Sequence, residues 1–124
     1  TIVRRQFAAG DFSPLLAIDA EIPLGQLTGD LLEQIETLAP FGPGNPEPVF
    51  ATRAISTYST MTVGKGHLKL KIREDGLLFD AIGFNMAERY TLKDGAIRLA
   101  FVPQFNLFNG QKLVQLNLRD IKSL

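Results

Sequence analysis

The chain has 124 residues, 45 % hydrophobic and 21 % charged, and its thirteen basic and thirteen acidic side chains give a net charge of zero. This is ordinary globular composition, which excludes a disordered chain and suits one compact domain with an attachment. No apolar run reaches the ~18 residues of a membrane span and no signal peptide is readable; with no cysteine, disulfides and thiolate metal sites are excluded, and a reducing cytoplasm is the expected location. Because the chain starts at Thr1 rather than Met, and its first dozen residues form no complete element, the expectation is a piece of a longer protein.

Residues 15–22 read as a short strand bounded by Pro14 and Pro23. A helix over residues 29–39 follows. Thr28 is its N-cap and Asp30 places a negative charge in the first turn. Leu31, Leu32, Ile35, Leu38 and Ala39 recur at helical spacing, with Glu33, Gln34, Glu36 and Thr37 opposite. Pro40 ends it, having no N–H to donate and disfavouring helical geometry in the residue before it.

Residues 40–48, Pro-Phe-Gly-Pro-Gly-Asn-Pro-Glu-Pro, form the most distinctive stretch. Four prolines fix φ, while Gly42, Gly44 and Asn45 are suited to the positive φ of sharp turns. The expectation is a stiff elbow. A phosphate-cradling loop would need successive backbone N–H groups and a following Lys, and here prolines delete the donors.

Beyond the elbow the period switches to two. Residues 49–59 read as a first strand. Residues 67–73 form a second, with Leu68, Leu70 and Ile72 on one face and His67, Lys69, Lys71 and Arg73 on the other. Asp75-Gly76 marks a hairpin. Residues 77–84 form a third strand, apolar on both faces and therefore expected to be covered on both, with Gly83 marking a bulge. A short helix over 85–90, capped by Asn85, comes next, then a turn at Asp94-Gly95 and a fourth strand over 96–107. Pro103 within that strand requires an edge or a bulge. Asn109-Gly110 signals another hairpin, and 112–121 closes as the fifth strand. This order predicts a mainly β fold: a five-stranded OB-type Greek-key barrel over 48–124, with a short helix between the third and fourth strands and a strand-helix connector over 1–47.

The neutral total hides a division. Residues 1–48 carry two basic side chains against seven acidic ones, a net of −5, and residues 49–124 carry eleven against six, a net of +5. The basic part suits a polyanion; docking between the two parts would use the same charges without one.

Candidate binding residues follow from the second strand. Lys69, Lys71 and Arg73 leave one side of the sheet in a row, and Lys65 and His67 extend it into the preceding loop. Alternate residues lie ~6.5–7 Å apart, close to the phosphate spacing of an extended single strand, so the row can track a backbone without reading bases. OB barrels bind oligonucleotides across this region. The same lysines would also protect an exposed strand from edge pairing. Phe108, at the tip of the last hairpin, is the candidate aromatic platform, and Tyr58 is a weaker one; Phe79, Phe101 and Phe105 fall on buried faces. On the last strand Lys112, Gln115, Asn117 and Arg119 are candidates for further basic and polar contacts.

Catalysis finds little material. His67 is the single histidine, there is no cysteine, and the carboxylates stand singly on turns or helix surfaces. Asp19 and Glu21 share a strand face, where solvation or a local ion pair accounts for them better than a bound cation. The chain alone is not expected to hydrolyse anything.

The segment Leu38-Ala39-Pro40-Phe41-Gly42-Pro43-Gly44-Asn45-Pro46-Glu47-Pro48-Val49-Phe50 resembles the signature stretch of the bacterial RecJ family. Ile18-Asp19-Ala20-Glu21, Gly66-His67-Leu68-Lys69-Leu70, Phe79-Asp80-Ala81-Ile82-Gly83-Phe84, the Asn109-Gly110 hairpin and the closing run from Gln115 to Ile121 agree with it, so the resemblance covers residues 15–121. It implies a parent exonuclease of the DHH phosphoesterase family that degrades single-stranded DNA from the 5′ end with manganese or magnesium. Its metal-binding Asp and His residues would lie in an N-terminal domain, followed by a DHH-associated domain and then an OB domain that holds the strand. None of those metal motifs occurs in this chain. The resemblance further implies work in recombination and repair. A protein-interaction barrel for a helicase or a single-strand-binding protein, its basic row receiving an acidic peptide, is the alternative reading.

Overall fold

The computed structural model describes residues 16–88, 90 and 95–124. Seven strands form one sheet: β1 (Ala20–Glu21), β2 (Phe50–Ala51), β3 (Thr57–Val63), β4 (His67–Glu74), β5 (Leu77–Gly83), β6 (Ile97–Phe108) and β7 (Gln111–Ser123). Their order is β1-β2-β6-β7-β5-β4-β3. The β1–β2 and β5–β7 neighbours are parallel and the others antiparallel. With one α-helix among the described residues, α1 (Gly29–Glu36), this mainly β open sheet is consistent with an OB-type fold.

The strand count differs from the expected five because two short pairings were hidden by the sequence pattern. Residues 49–59, read as one strand, are divided: Phe50 and Ala51 pair with Phe101 and Ala100 of β6, Ile55 bridges Ile97, and Thr57 begins the pairing with β4. Alternation reports which face a residue occupies and not which neighbour it bonds. The expected strand over 15–22 shortens to β1, and its first residue Leu15, with Pro14 and residues 1–12, lies outside the described residues.

Both hairpins form as their turn residues require. Asp75 and Gly76 have φ of 52° and 79°, and Asn109 and Gly110 have 51° and 79°. Positive φ at both central positions is the type I′ geometry, whose twist matches the flanking strands. At Pro103 the strand β6 has β7 as its neighbour and lies beyond its pairing with β2, so no ladder bond is lost on the open side. The bulge sits nearby, where the register slips between Ala100 and Phe101.

Two other expectations about β5 are corrected. Leu77 and Leu78 at its start are 46 % and 68 % exposed, so the strand is covered only towards its end. Gly83 pairs in register with Leu68 and marks no bulge. Its lack of a side chain serves packing instead: a Cβ there would lie 2.5 Å from Met86 Sδ and 3.1 Å from Met86 Cβ. The expected helix over 85–90 is also absent among the described residues, which form turns at that point; Arg89 and residues 91–94, including Asp94 of the expected turn, lie outside them. Asn85 has φ of 59° and is therefore a left-handed turn residue rather than a helix cap.

The helix α1 starts as expected, with the Thr28 hydroxyl accepting from the Leu31 N–H at 3.2 Å. It ends at Glu36, before Leu38 and Ala39, which are exposed and lie off the buried stripe of Leu32 and Ile35. The amide of Asn45 donates to the carbonyls of Leu38 and Pro40 at 2.6 and 3.0 Å, so the elbow supplies donors to the chain leaving the helix. Gly42 and Asn45 exchange backbone hydrogen bonds of 2.9 Å. None of Gly42, Gly44 and Asn45 adopts positive φ. The elbow is stiffened by prolines and these bonds, not by left-handed turns.

The main core joins α1 to the sheet. Leu24, Leu27, Leu32 and Ile35 meet Leu68, Leu70, Ile72, Leu99, Phe101, Leu116 and Leu118 in one buried cluster. A second cluster, Ile18, Val49, Ala51, Ala100 and Val102, lies where the elbow crosses β6. Beside it Asp19, 3 % exposed, accepts from the Val49 N–H through Oδ2 at 2.8 Å while its own N–H donates to the Val49 carbonyl at 2.7 Å. Replacing Asp19 by Ala leaves a buried donor without its charged acceptor, a loss of ~1.5–3 kcal/mol. The urea midpoint should fall accordingly at an unchanged slope. Gly83→Ala should cost ~1–3 kcal/mol by overpacking against Met86, read from the same titration.

Candidate nucleic-acid interface

The local cause of the site is the alternation of β4. Leu68, Leu70 and Ile72 are 6 %, 0 % and 0 % exposed, so the intervening His67, Lys69, Lys71 and Arg73 must leave the opposite face. Lys71 and Arg73 are exposed, and Lys69 and His67 are half-buried. Register places Arg73 between Thr57 and Leu78, Lys71 between Ser59 and Asp80, and Lys69 between Met61 and Ile82. The row therefore runs along the outer face of a three-stranded patch. Among these cross-strand neighbours Asp80 alone is acidic. Among the described residues none of Lys69, Lys71 and Arg73 enters an ion pair. Lys65 stands exposed in the loop joining β3 to β4, where Gly64 and Gly66 take φ of 57° and 85°.

At the loop end of the row a turn is tied back onto β4. The Asn85 N–H donates to His67 Nδ1 at 3.0 Å, and the Ala87 N–H donates to the Gly66 carbonyl at 3.0 Å. With Nδ1 accepting, the neutral imidazole carries its proton on Nε2. The ring of Phe84 meets His67 at 5.3 Å between centroids with planes 76° apart, a T-shaped contact. Sequence reasoning did not single out Phe84, although counting by twos from Leu78 through Asp80 and Ile82 reaches it.

The other sequence candidates divide. Gln115 and Asn117 are in register with Asp80 and Ile82, so β7 carries them on the same face as the cationic row. The Asn117 amide donates to Gln104 Oε1 at 3.2 Å, and its Oδ1 accepts from Arg119 Nη1 at 3.4 Å. Arg119 also lies 3.7 Å from Glu47 of the elbow, which draws it away from the row. Phe108 is 61 % exposed at the hairpin tip and shares the parity of Gln104 and Asn106 on that outer face. Lys112 does not join the others. It alternates with Val114 and Leu116 on the core side, and its Nζ lies 5.1 Å over the Phe105 ring.

Tyr58 is corrected: it pairs with Ile72 on the core side, packs against the main cluster and donates its hydroxyl to the Gly95 carbonyl at 2.9 Å. Asp19 and Glu21 also separate, Asp19 binding Val49 and Glu21 pairing with Arg98 at 3.3 Å. Two ion pairs, Glu21–Arg98 and Glu47–Arg119, thus join the acidic first part of the chain to the basic second part. Among the described residues no three His, Cys, Asp or Glu side chains lie together as metal ligands. No helix among them is long and apolar enough to cross a membrane.

This arrangement can hold a linear polyanion by charge. Comparison with known proteins agrees with the fold. A family model described as the RecJ OB domain matches residues 18–120. The single-stranded-DNA-specific exonuclease RecJ of Bacillus subtilis is 26 % identical over 117 residues, covering 89 % of this chain and 14 % of that protein. The protein of the same name from Haemophilus influenzae is 31 % identical over 103 residues, covering 79 % of this chain and 18 % of its own length. Among solved structures, RecJ from Thermus thermophilus in complex with Mn2+ superposes with a TM-score of 0.69 at 19 % identity, over 86 % of this chain and 16 % of that one. Its complex with Mg2+ gives 0.63 at 20 % identity over the same shares. The chain therefore spans less than a fifth of the length of the relatives it matches.

Proposed function

The chain belongs to the RecJ OB domain family, and from that premise we propose that it is the module that holds single-stranded DNA in a larger exonuclease. The observation that carries the proposal is the outward-facing row of half-buried Lys69 and exposed Lys71 and Arg73, set in register between β3 and β5. A row of cations at strand spacing binds phosphates by counterion release and leaves the bases unread. Lys65 extends the row, and Gln115, Asn117 and Phe108 share its face.

We read 1–47 as the connector and 48–124 as the OB domain, with the interrupted run from 50 to 63 serving as the first of five barrel strands. Support comes from its bonding to β6 at one end and to β4 at the other. In the parent protein, hydrolysis belongs on this reading to a separate metal-bearing domain. The Mn2+ and Mg2+ in the Thermus structures suit that assignment. The setting would be recombination and repair in the bacterial cytoplasm, with a single-strand-binding protein or a helicase as partner.

A second reading, a protein-interaction barrel, draws on the exposed Leu77, Leu78, Leu107, Phe108 and Leu113 at the hairpin tips. One titration separates the two. The 124-residue chain should bind oligo-dT, and contact with about four phosphates gives a slope near ~−3 of log K against log salt. The triple variant Lys69→Glu, Lys71→Glu, Arg73→Glu should lose this binding while keeping its urea midpoint. Undiminished binding by the variant would remove the assigned face, and binding of an acidic peptide with no binding of oligo-dT would favour the protein-interaction reading.

A further inference from the structure

We propose that Phe84 is a base-stacking platform at the loop end of the cationic row, with His67 as its positioning residue. The inference rests on the single-strand-binding reading and deepens it, since the row accounts for phosphates and says nothing of bases.

Three observations carry it together. Phe84 continues the outer-face parity of Leu78, Asp80 and Ile82, and the pairing of Leu68 with Gly83 sets it beside His67, which precedes Lys69 on that face. Phe84 is 55 % exposed although it is the largest side chain among the described residues of the turn. The turn beneath it is pinned rather than loose. Asn85 is left-handed and donates to His67 Nδ1, Ala87 donates to Gly66, and Met86 is 3 % exposed in the space left by Gly83. A single exposed apolar side chain is ordinary on a protein surface. An aromatic ring held by a perpendicular neighbour, on a fixed turn, beside cations at phosphate spacing, has the parts a nucleobase platform needs.

The ligand chemistry follows. A strand laid along Arg73, Lys71 and Lys69 brings its next nucleotide to the Phe84 ring. Every base presents a π-face, so the contact would be tolerant of sequence, and the ligand class is an unpaired nucleobase within a polynucleotide. The His67 Nε2–H remains as a donor next to the ring.

The chain contains no tryptophan, so Phe84→Trp supplies a reporter confined to the site. Its emission should be quenched by oligo-dT and should not respond to an abasic deoxyribose-phosphate strand of equal length. Phe84→Ala should weaken oligo-dT binding about tenfold, within the range for loss of one stacked base, and leave abasic-strand binding unchanged. Phe84→Leu, which keeps apolar contact with His67 and lacks the π-face, should behave like the Ala variant. Equal loss on both strands, no loss on either, or Trp emission that ignores bound oligo-dT would each overturn the platform while leaving the cationic row in place. A chain that binds neither strand would remove the row and the platform together.

Discussion

Leu68, Leu70 and Ile72 are buried against Leu99, Phe101 and Leu116, and that burial determines what every other residue of β4 does. Each fully buried aliphatic side chain contributes ~1.5–3 kcal/mol relative to exposure. A slip of one residue would surrender all three and drive Lys69, Lys71 and Arg73 into the core, where an unpaired cation costs several kcal/mol. The register is therefore fixed by hydrophobic packing. The charged face needs no interaction of its own to be presented, and among the described residues Lys69, Lys71 and Arg73 enter no ion pair.

The rest of the chain reinforces that face from behind. Residues 24–35 contribute Leu24, Leu27, Leu32 and Ile35 to the same core, and Asp19 ties the chain before them to Val49 with two short hydrogen bonds. Leu24 also donates its N–H to Glu74 Oε1 at 3.1 Å, linking this segment to the far end of β4. The opposed charges of the two parts of the chain are used in part for docking, through Arg98 and Arg119. The exposed Glu47–Arg119 pair contributes little to stability. These pairs take up Arg98 and Arg119, while among the described residues none of Lys69, Lys71 and Arg73 enters an ion pair.

Much of this was legible in the sequence. Positive-φ dipeptides at Asp75-Gly76 and Asn109-Gly110 locate the hairpins because few residue pairs tolerate that geometry, and the pattern of β4 reads directly because one face is apolar and the other cationic. The misreadings share a cause, a local signal with a non-local determinant. Residues 49–59 change bonding partner midway, which alternation does not record. Leu77 and Leu78 are apolar yet uncovered, since what covers a strand is set by other elements. Gly83 accommodates a sulfur from the following turn, and Asn85 bonds a histidine from another strand; neither partner is deducible from neighbours in sequence. Phe84 escaped notice for the same reason. Its interest lies in the ring across from it.

The parallel seam between β5 and β7 bears on how the chain assembles. It comprises three residue pairs, Asp80 with Gln115, Ala81 with Leu116 and Ile82 with Asn117, and it joins two hairpins whose own turns are local. Each hairpin closes a short loop at small entropic cost, on the microsecond scale of isolated hairpins. The seam instead requires both to be formed and aligned, although residues 84–96 separate them in the chain. Assembly thus divides into two quick local events and one slow long-range encounter, and the polar face of β7 comes alongside β5, and through it the cationic row of β4, only at that last step.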